Sequence, residues 1–167
     1  MIRVVVDELA FVAADAVVRP ATGELEPTSP SLRRLEQVGG PTFFNQLRVT
    51  QELVVGAAVV TGGGELSAEL VIHAIIRTRD ESVSRSGVRR ALTSTLQRAV
   101  DWRIPRIATP PLGTGPGNLD IEDAAKLMVE VLSSHMASAG YPTEVSIVVE
   151  SDAHAQVFND LLRRLPQ

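Results

Sequence analysis

The stretch RIATPPLGTGPGNLDIEDAAKLMVEVL, residues 106–132, decides the fold. Its first four residues read as a strand that runs into a turn with glycine at 113, 115 and 117. Asp120 then stands where a helix cap belongs, and Ile121, Ala124, Ala125, Leu127, Met128, Val131 and Leu132 recur at three- and four-residue spacings. Strand, loop and helix in that order are the unit of an α/β protein.

Working outward, the unit repeats. Gly140 is the stop for this helix, 145–149 is the next strand, and Ser151 caps a last helix carrying Val157, Phe158, Leu161, Leu162 and Leu165. Upstream, Val88, Ala91, Leu92, Thr95, Leu96, Ala99 and Trp102 predict an amphipathic helix over 88–102 that Pro105 ends. Such alternation implies parallel strands joined by crossover helices. Residues 57–61 and 70–76 read as a hairpin whose glycines, 62–64, supply the positive φ of a tight reversal. The chain opens with strands at 2–6 and 16–18, and Ser29-Pro30 predicts a capped helix over 31–38 that Gly39-Gly40-Pro41 stops. Phe43, Phe44, Leu47 and Thr50 would share a face of a further helix within 43–53. The expectation is one domain, an α/β fold in which a mixed sheet lies between helical layers.

Composition narrows the functions. With 167 residues and 44% apolar content, the chain can bury one sizeable core. Twenty acidic residues against 16 basic ones argue against binding nucleic acid or anionic membranes through bulk charge. The absence of cysteine excludes disulfides, thiolate metal sites and cysteine nucleophiles. Asp7 and Glu8 interrupt the apolar N-terminus, so the expectation is a soluble, cytoplasmic protein.

In open α/β sheets ligands collect where strands end and helices begin. Glycines there let successive N–H groups face one concavity, an anion nest, to which Thr114 adds a hydroxyl. A plain connection has the same composition. Neither G-x-x-x-x-G-K-[ST] nor a Rossmann fingerprint is present, so an ordinary nucleoside triphosphate or dinucleotide site is not indicated.

The ordered set RVVV (3–6), DAVV (15–18), VGG with Pro41, VVGAAVVTGGGELSAELVIHAI (54–75) and PPLGTGPGNLDIEDAA (110–125) resembles the macro domain family along nearly the whole chain. The resemblance implies a three-layer α/β/α sandwich that binds ADP-ribose or ADP-ribosylated molecules, and in some members hydrolyses ADP-ribosyl bonds or O-acetyl-ADP-ribose. It implies that Gly113, Thr114, Gly115, Gly117 and Asn118 hold the diphosphate and distal ribose, and that Asp7, with Glu8 as the alternative, recognises adenine.

The departures are specific. Where active members read N-A-A-N, this chain reads Arg19-Pro20-Ala21-Thr22, so the asparagine that hydrolysis depends on is missing and Thr22 is the residue left to offer a hydroxyl. Glu24, Glu26 and two prolines occupy the family's first glycine-rich loop, bringing negative charge and fewer donors to the diphosphate. Pro116 removes a donor from the second loop, and Gly117 replaces a common aromatic.

His73, on a strand, reads as packed rather than catalytic, and no spacing of the three histidines predicts a metal site. Arg77, Arg79, Arg85, Arg89 and Arg90 read as a solvated basic face, with attraction of a polymeric phosphate as the alternative. The function expected is a binding module for ADP-ribose or a related nucleotide diphosphate, with catalysis lost and no cofactor. The alternatives are a hydrolase that uses Thr22, Asn118 or a substrate-bound water, and a fold with a closed pocket that works through surface contacts.

Overall fold

The computed structural model describes residues 1–115 and 118–166. Among them the sheet has six strands, β1 (Ile2–Val6), β2 (Ala16–Thr22), β3 (Ala58–Gly62), β4 (Leu70–Arg77), β5 (Arg106–Thr109) and β6 (Glu144–Val149), in the spatial order β1-β6-β5-β2-β4-β3. The β3–β4 pair is antiparallel and the others are parallel, which makes the sheet mixed. Four α-helices flank it: α1 (Arg33–Phe44), α2 (Arg85–Asp101), α3 (Ile121–Ser138) and α4 (Asp152–Arg163).

Alternation along the strands builds the layers. Ala16, Val18, Ile147 and Val149 pack with the apolar stripes of α2, α3 and α4, whereas Val17 and Val148 face Leu35 and Phe43 of α1 on the other side. The result is α2–α3–α4, sheet, α1: a three-layer α/β/α sandwich. No helix among the described residues is long and apolar enough to cross a membrane.

Caps set the helix starts. Ser84, Asp120 and Ser151 accept bonds from the amides of Gly87, Asp123 and His154, three residues on in each case. Helix α1 departs from expectation. It begins after a 3-10 turn over Pro30–Leu32, and the expected stop is there: Gly40, at φ 73° and ψ -172°, breaks the run, but Pro41 starts a second helical segment that carries α1 on to Phe44.

The helix expected within 43–53 stops at Phe44. Phe43 is fully buried while Phe44 stays exposed, so the two do not share a face. Gln46 instead uses its side-chain amide to bond both the N–H and the C=O of Gly62, as a neighbouring strand would at the β3 edge. Strand β2 is four residues longer at its C-terminal end than the run 16–18 suggests, for reasons that lie at the site.

The hairpin glycines divide their work. Gly64 supplies the positive φ of 59°, whereas Gly63 is needed for space, since a Cβ there would lie 2.1 Å from the carbonyl oxygen of Ala68. Gly63→Ala is expected to lower stability in a urea titration by roughly 2 kcal/mol. Gly140→Ala, whose Cβ meets nothing within 4 Å, serves as the neutral control, and equal effects would contradict this packing.

Candidate functional site

The site begins with a failure of strand pairing. β2 and β5 register through Ala16 with Ile107 and Val17 with Ala108, after which β2 follows β4 alone. Pro20 stands on one lip of the resulting gap, and Pro110 and Pro111 on the other. Having no N–H, the prolines cannot extend the ladder across it. The chain turns toward β4 on one side of β2 and toward β5 and β6 on the other, so the gap is a topological switch point, the place where α/β sheets hold ligands.

A cavity of ≈ 430 Å³ opens there. That lies within the range of small-molecule sites. Asp7, Glu8 and Glu150, just past the ends of β1 and β6, make one end acidic, and His154 stands beside them at the start of α4. The other end is formed by Thr28 and Ser29 before α1 and by Gly113 and Thr114 after β5. Leu32 and Leu35 close the side facing α1.

The structure sorts the expected ligand residues into two groups. Asp7, Gly113 and Thr114 line the cavity together. Thr22, Gly115 and Asn118 are not among its lining residues, and Gly117 lies outside the described residues. Thr22 is occupied locally: its hydroxyl accepts from the amides of Glu24 and Glu26, and its own amide bonds Glu26 O at 2.9 Å. Gly113 is required by packing, because with φ 80° its Cβ would lie 2.7 Å from Val88 Cγ2. Gly115, with φ 126°, has only the Asn118 side chain near that position, at 3.6 Å. The loop closes on itself through Asn118 N to Gly115 O and Leu119 N to Gly113 O.

The first loop corrects an expectation of charge conflict. Glu24 turns to Arg79 at 3.1 Å, and neither Glu24 nor Glu26 lines the cavity. The basic face is likewise a set of ion pairs: Arg85 with Asp123, Arg89 with Glu130 and Arg90 with Glu81. Glu150 and His154, which also line the cavity, are absent from the expected site, although the rule that ligands meet the C-terminal ends of strands points to them. Arg34, which also lines the cavity and pairs with Glu8 at 3.8 Å, carries no signal in the sequence pattern.

Beside the cavity, on the α1 side, lies a buried polar chain. Arg19 is fully buried and bonds Glu36 Oε1 at 2.5 Å, Leu25 O at 2.9 Å and His73 Nδ1 at 3.2 Å. A guanidinium only donates, so Nδ1 accepts and the His73 Nε2–H donates to Thr61 Oγ1 at 2.8 Å. The Thr61 hydroxyl passes its own hydrogen to Gly62 O at 3.2 Å. Phe43 stacks on the imidazole with centroids 6.0 Å apart. Burial first, and the Arg19 charge second, push His73 down to about 3. Burial lowers Arg19 as well, and the Glu36 carboxylate opposes that shift. His73 does not line the cavity. Among the described residues no group of three or more acidic or histidine side chains is placed to hold a metal ion.

Residues 29–128 match the family described as Macro domain. The chain belongs to the macro domain family. Over 157 residues this macro domain is 28% identical to a macro domain-containing protein of Caldanaerobacter subterraneus subsp. tengcongensis, covering 90% of this chain and 89% of that one. Over 167 residues it is 25% identical to a protein of Enterobacter sp. named O-acetyl-ADP-ribose deacetylase, covering 96% and 93%. It spans about 40% of the length of the mycobacterial relatives it matches. The fold superposes with a TM-score of 0.86 on the Trypanosoma brucei macrodomain solved in complex with ADP-ribose, at 15% identity, covering 96% of this chain and 68% of that one.

The neutral His73 makes stability pH-dependent. Its folded value lies below the 6.5 of the free side chain, so the unfolded chain takes up the proton first, and the contribution present above pH 6.5 is lost as pH falls toward 3. Urea titrations from pH 7 to 4 are expected to show the stability gap between the wild type and His73→Asn narrowing by on the order of a few kcal/mol. A gap constant across that window would show that His73 is not held neutral.

Proposed function

We propose that this macro domain binds ADP-ribose, or a related nucleotide diphosphate, in the crevice between β2 and β5. The observation that carries the reading is one cavity that brings Asp7 at its acidic end together with Gly113 and Thr114 at the other. The Asp7 carboxylate suits the N–H donors of adenine, and the Gly113–Thr114 backbone with the Thr114 hydroxyl suits phosphate oxygens. The relationship to a macrodomain solved with ADP-ribose supports the same ligand. Gly115, Gly117 and Asn118 belong to the proposal through the family resemblance alone.

We further propose that binding proceeds without turnover. Along the stretch where hydrolytic members carry asparagines, Arg19 is buried against Glu36, Pro20 lines the cavity with a side chain that has no polar atom, Ala21 is buried and the Thr22 hydroxyl accepts from two amides of its own turn. A residue that orients water needs a free polar atom at the reacting centre. The 25% identity to the Enterobacter protein named O-acetyl-ADP-ribose deacetylase is the ground for assaying that ester directly.

Calorimetric titration is expected to give saturable binding of ADP-ribose, tighter than AMP or ribose 5-phosphate. Silence at millimolar ADP-ribose would overturn the assignment. Asp7→Ala is expected to weaken ADP-ribose about tenfold, the scale of one lost charged hydrogen bond, while leaving ribose 5-phosphate unaffected. O-acetyl-ADP-ribose is expected to persist unhydrolysed with stoichiometric protein, and catalytic release of acetate would sink the proposal of binding without turnover.

A further inference from the structure

Strand β2 turns Val17, Arg19 and Ala21 toward the α1 layer, and the middle one of these is a cation with no exposed surface. Its Nε has no hydrogen-bond partner among the described residues. Burying such a group is costly, and an apolar side chain of similar volume often serves stability as well or better. Filling space therefore does not account for Arg19. Its contacts do.

One nitrogen of Arg19, Nη2, reaches two separate segments. The first is the turn 22–26, where it bonds Leu25 O. Leu25 is buried with a φ of 62°, a conformation that leucine rarely adopts, so the turn needs outside support. The amides of Glu24, Leu25 and Glu26 all bond Thr22, and a bridge between Ala21 and Pro27 returns the chain along β2. The second segment is α1, where Arg19 holds Glu36 one turn beyond Leu32. Between these anchors run Thr28, Ser29, Leu32, Arg34 and Leu35, which form one wall of the cavity.

We infer that Arg19 is the positioning residue of the site: through Leu25 and Glu36 it fixes the cavity wall formed by Thr28, Ser29, Leu32, Arg34 and Leu35, and so sets ligand affinity without touching the ligand. The inference deepens the ADP-ribose reading and rests on it for its binding readout. Arg19 acts by keeping the wall in the one arrangement that accepts ligand, so its loss lowers the population of that arrangement rather than the contacts within it.

The test compares the wild type with the double variant Arg19→Met/Glu36→Leu and the single variants Glu36→Gln and Glu36→Leu. Its readouts are thermal midpoint, hydrogen exchange at the amides of Glu24, Leu25 and Glu26, and the Kd for ADP-ribose. The double variant is expected to melt at or above the wild-type temperature. Its three amides exchange about tenfold faster and its Kd rises about tenfold, as when the competent arrangement falls to about a tenth of the population. Glu36→Gln still accepts from Arg19 and is expected to stay near wild type in exchange and Kd, whereas Glu36→Leu, which strands the Arg19 charge and frees α1, is expected to melt lower and to raise the Kd about tenfold. Wild-type affinity and protection in the double variant would overturn the inference. If the double variant does not fold, equal Kd and equal exchange in Glu36→Gln and Glu36→Leu would overturn it. If the wild type does not bind ADP-ribose, the ligand reading falls on its own and amide exchange decides: unchanged rates in the double variant would overturn the positioning role.

Discussion

The site depends on how briefly β2 pairs with β5. Two residue pairs join these strands before β5 ends, and β2 carries on beside β4 for five residues more. A longer ladder would have closed the gap with main chain and left no cavity. The prolines on both lips hold the gap open at the level of the covalent chain, since a missing N–H cannot be restored by any rearrangement. The turns after β1, β5 and β6 and the start of α1 then meet around an opening made by the sheet itself.

Much of this was legible because the residues concerned act locally. β1 and β5 match their expected bounds, and Asp120 and Ser151 cap the helices that follow them. Apolar spacing and capping require nothing from the rest of the chain. β2 read short because Arg19 and Pro20 look like the end of a strand, and only tertiary contacts keep them inside one: Arg19 finds Glu36 17 residues away and His73 54 residues away, and Pro20 turns its missing donor to the unpaired side. Within the site, Asp7, Gly113 and Thr114 followed from strand ends and family likeness. The local bonding of Thr22 and the turn of Glu24 toward Arg79 depend on backbone angles that composition does not encode.

The α1 layer is where stability and site geometry conflict. An all-apolar layer would be the simpler solution, yet this one holds an ion pair, an imidazole kept neutral and a leucine at positive φ. Each is unfavourable alone, and each is tolerated because its neighbours fix its geometry. Such a layer is less forgiving when one partner of a pair is changed alone than the α2–α3–α4 side, where one continuous apolar cluster shares the load.

The chain of donors from Arg19 through His73 and Thr61 to the Gly62 carbonyl runs in one direction only. A guanidinium at its head does not release a proton in any solution in which the protein stays folded, and an amide carbonyl at its tail does not accept one. The line is therefore a proton insulator: the imidazole is wired at both nitrogens into a path with neither source nor sink, and it serves the sheet as a rigid polar spacer.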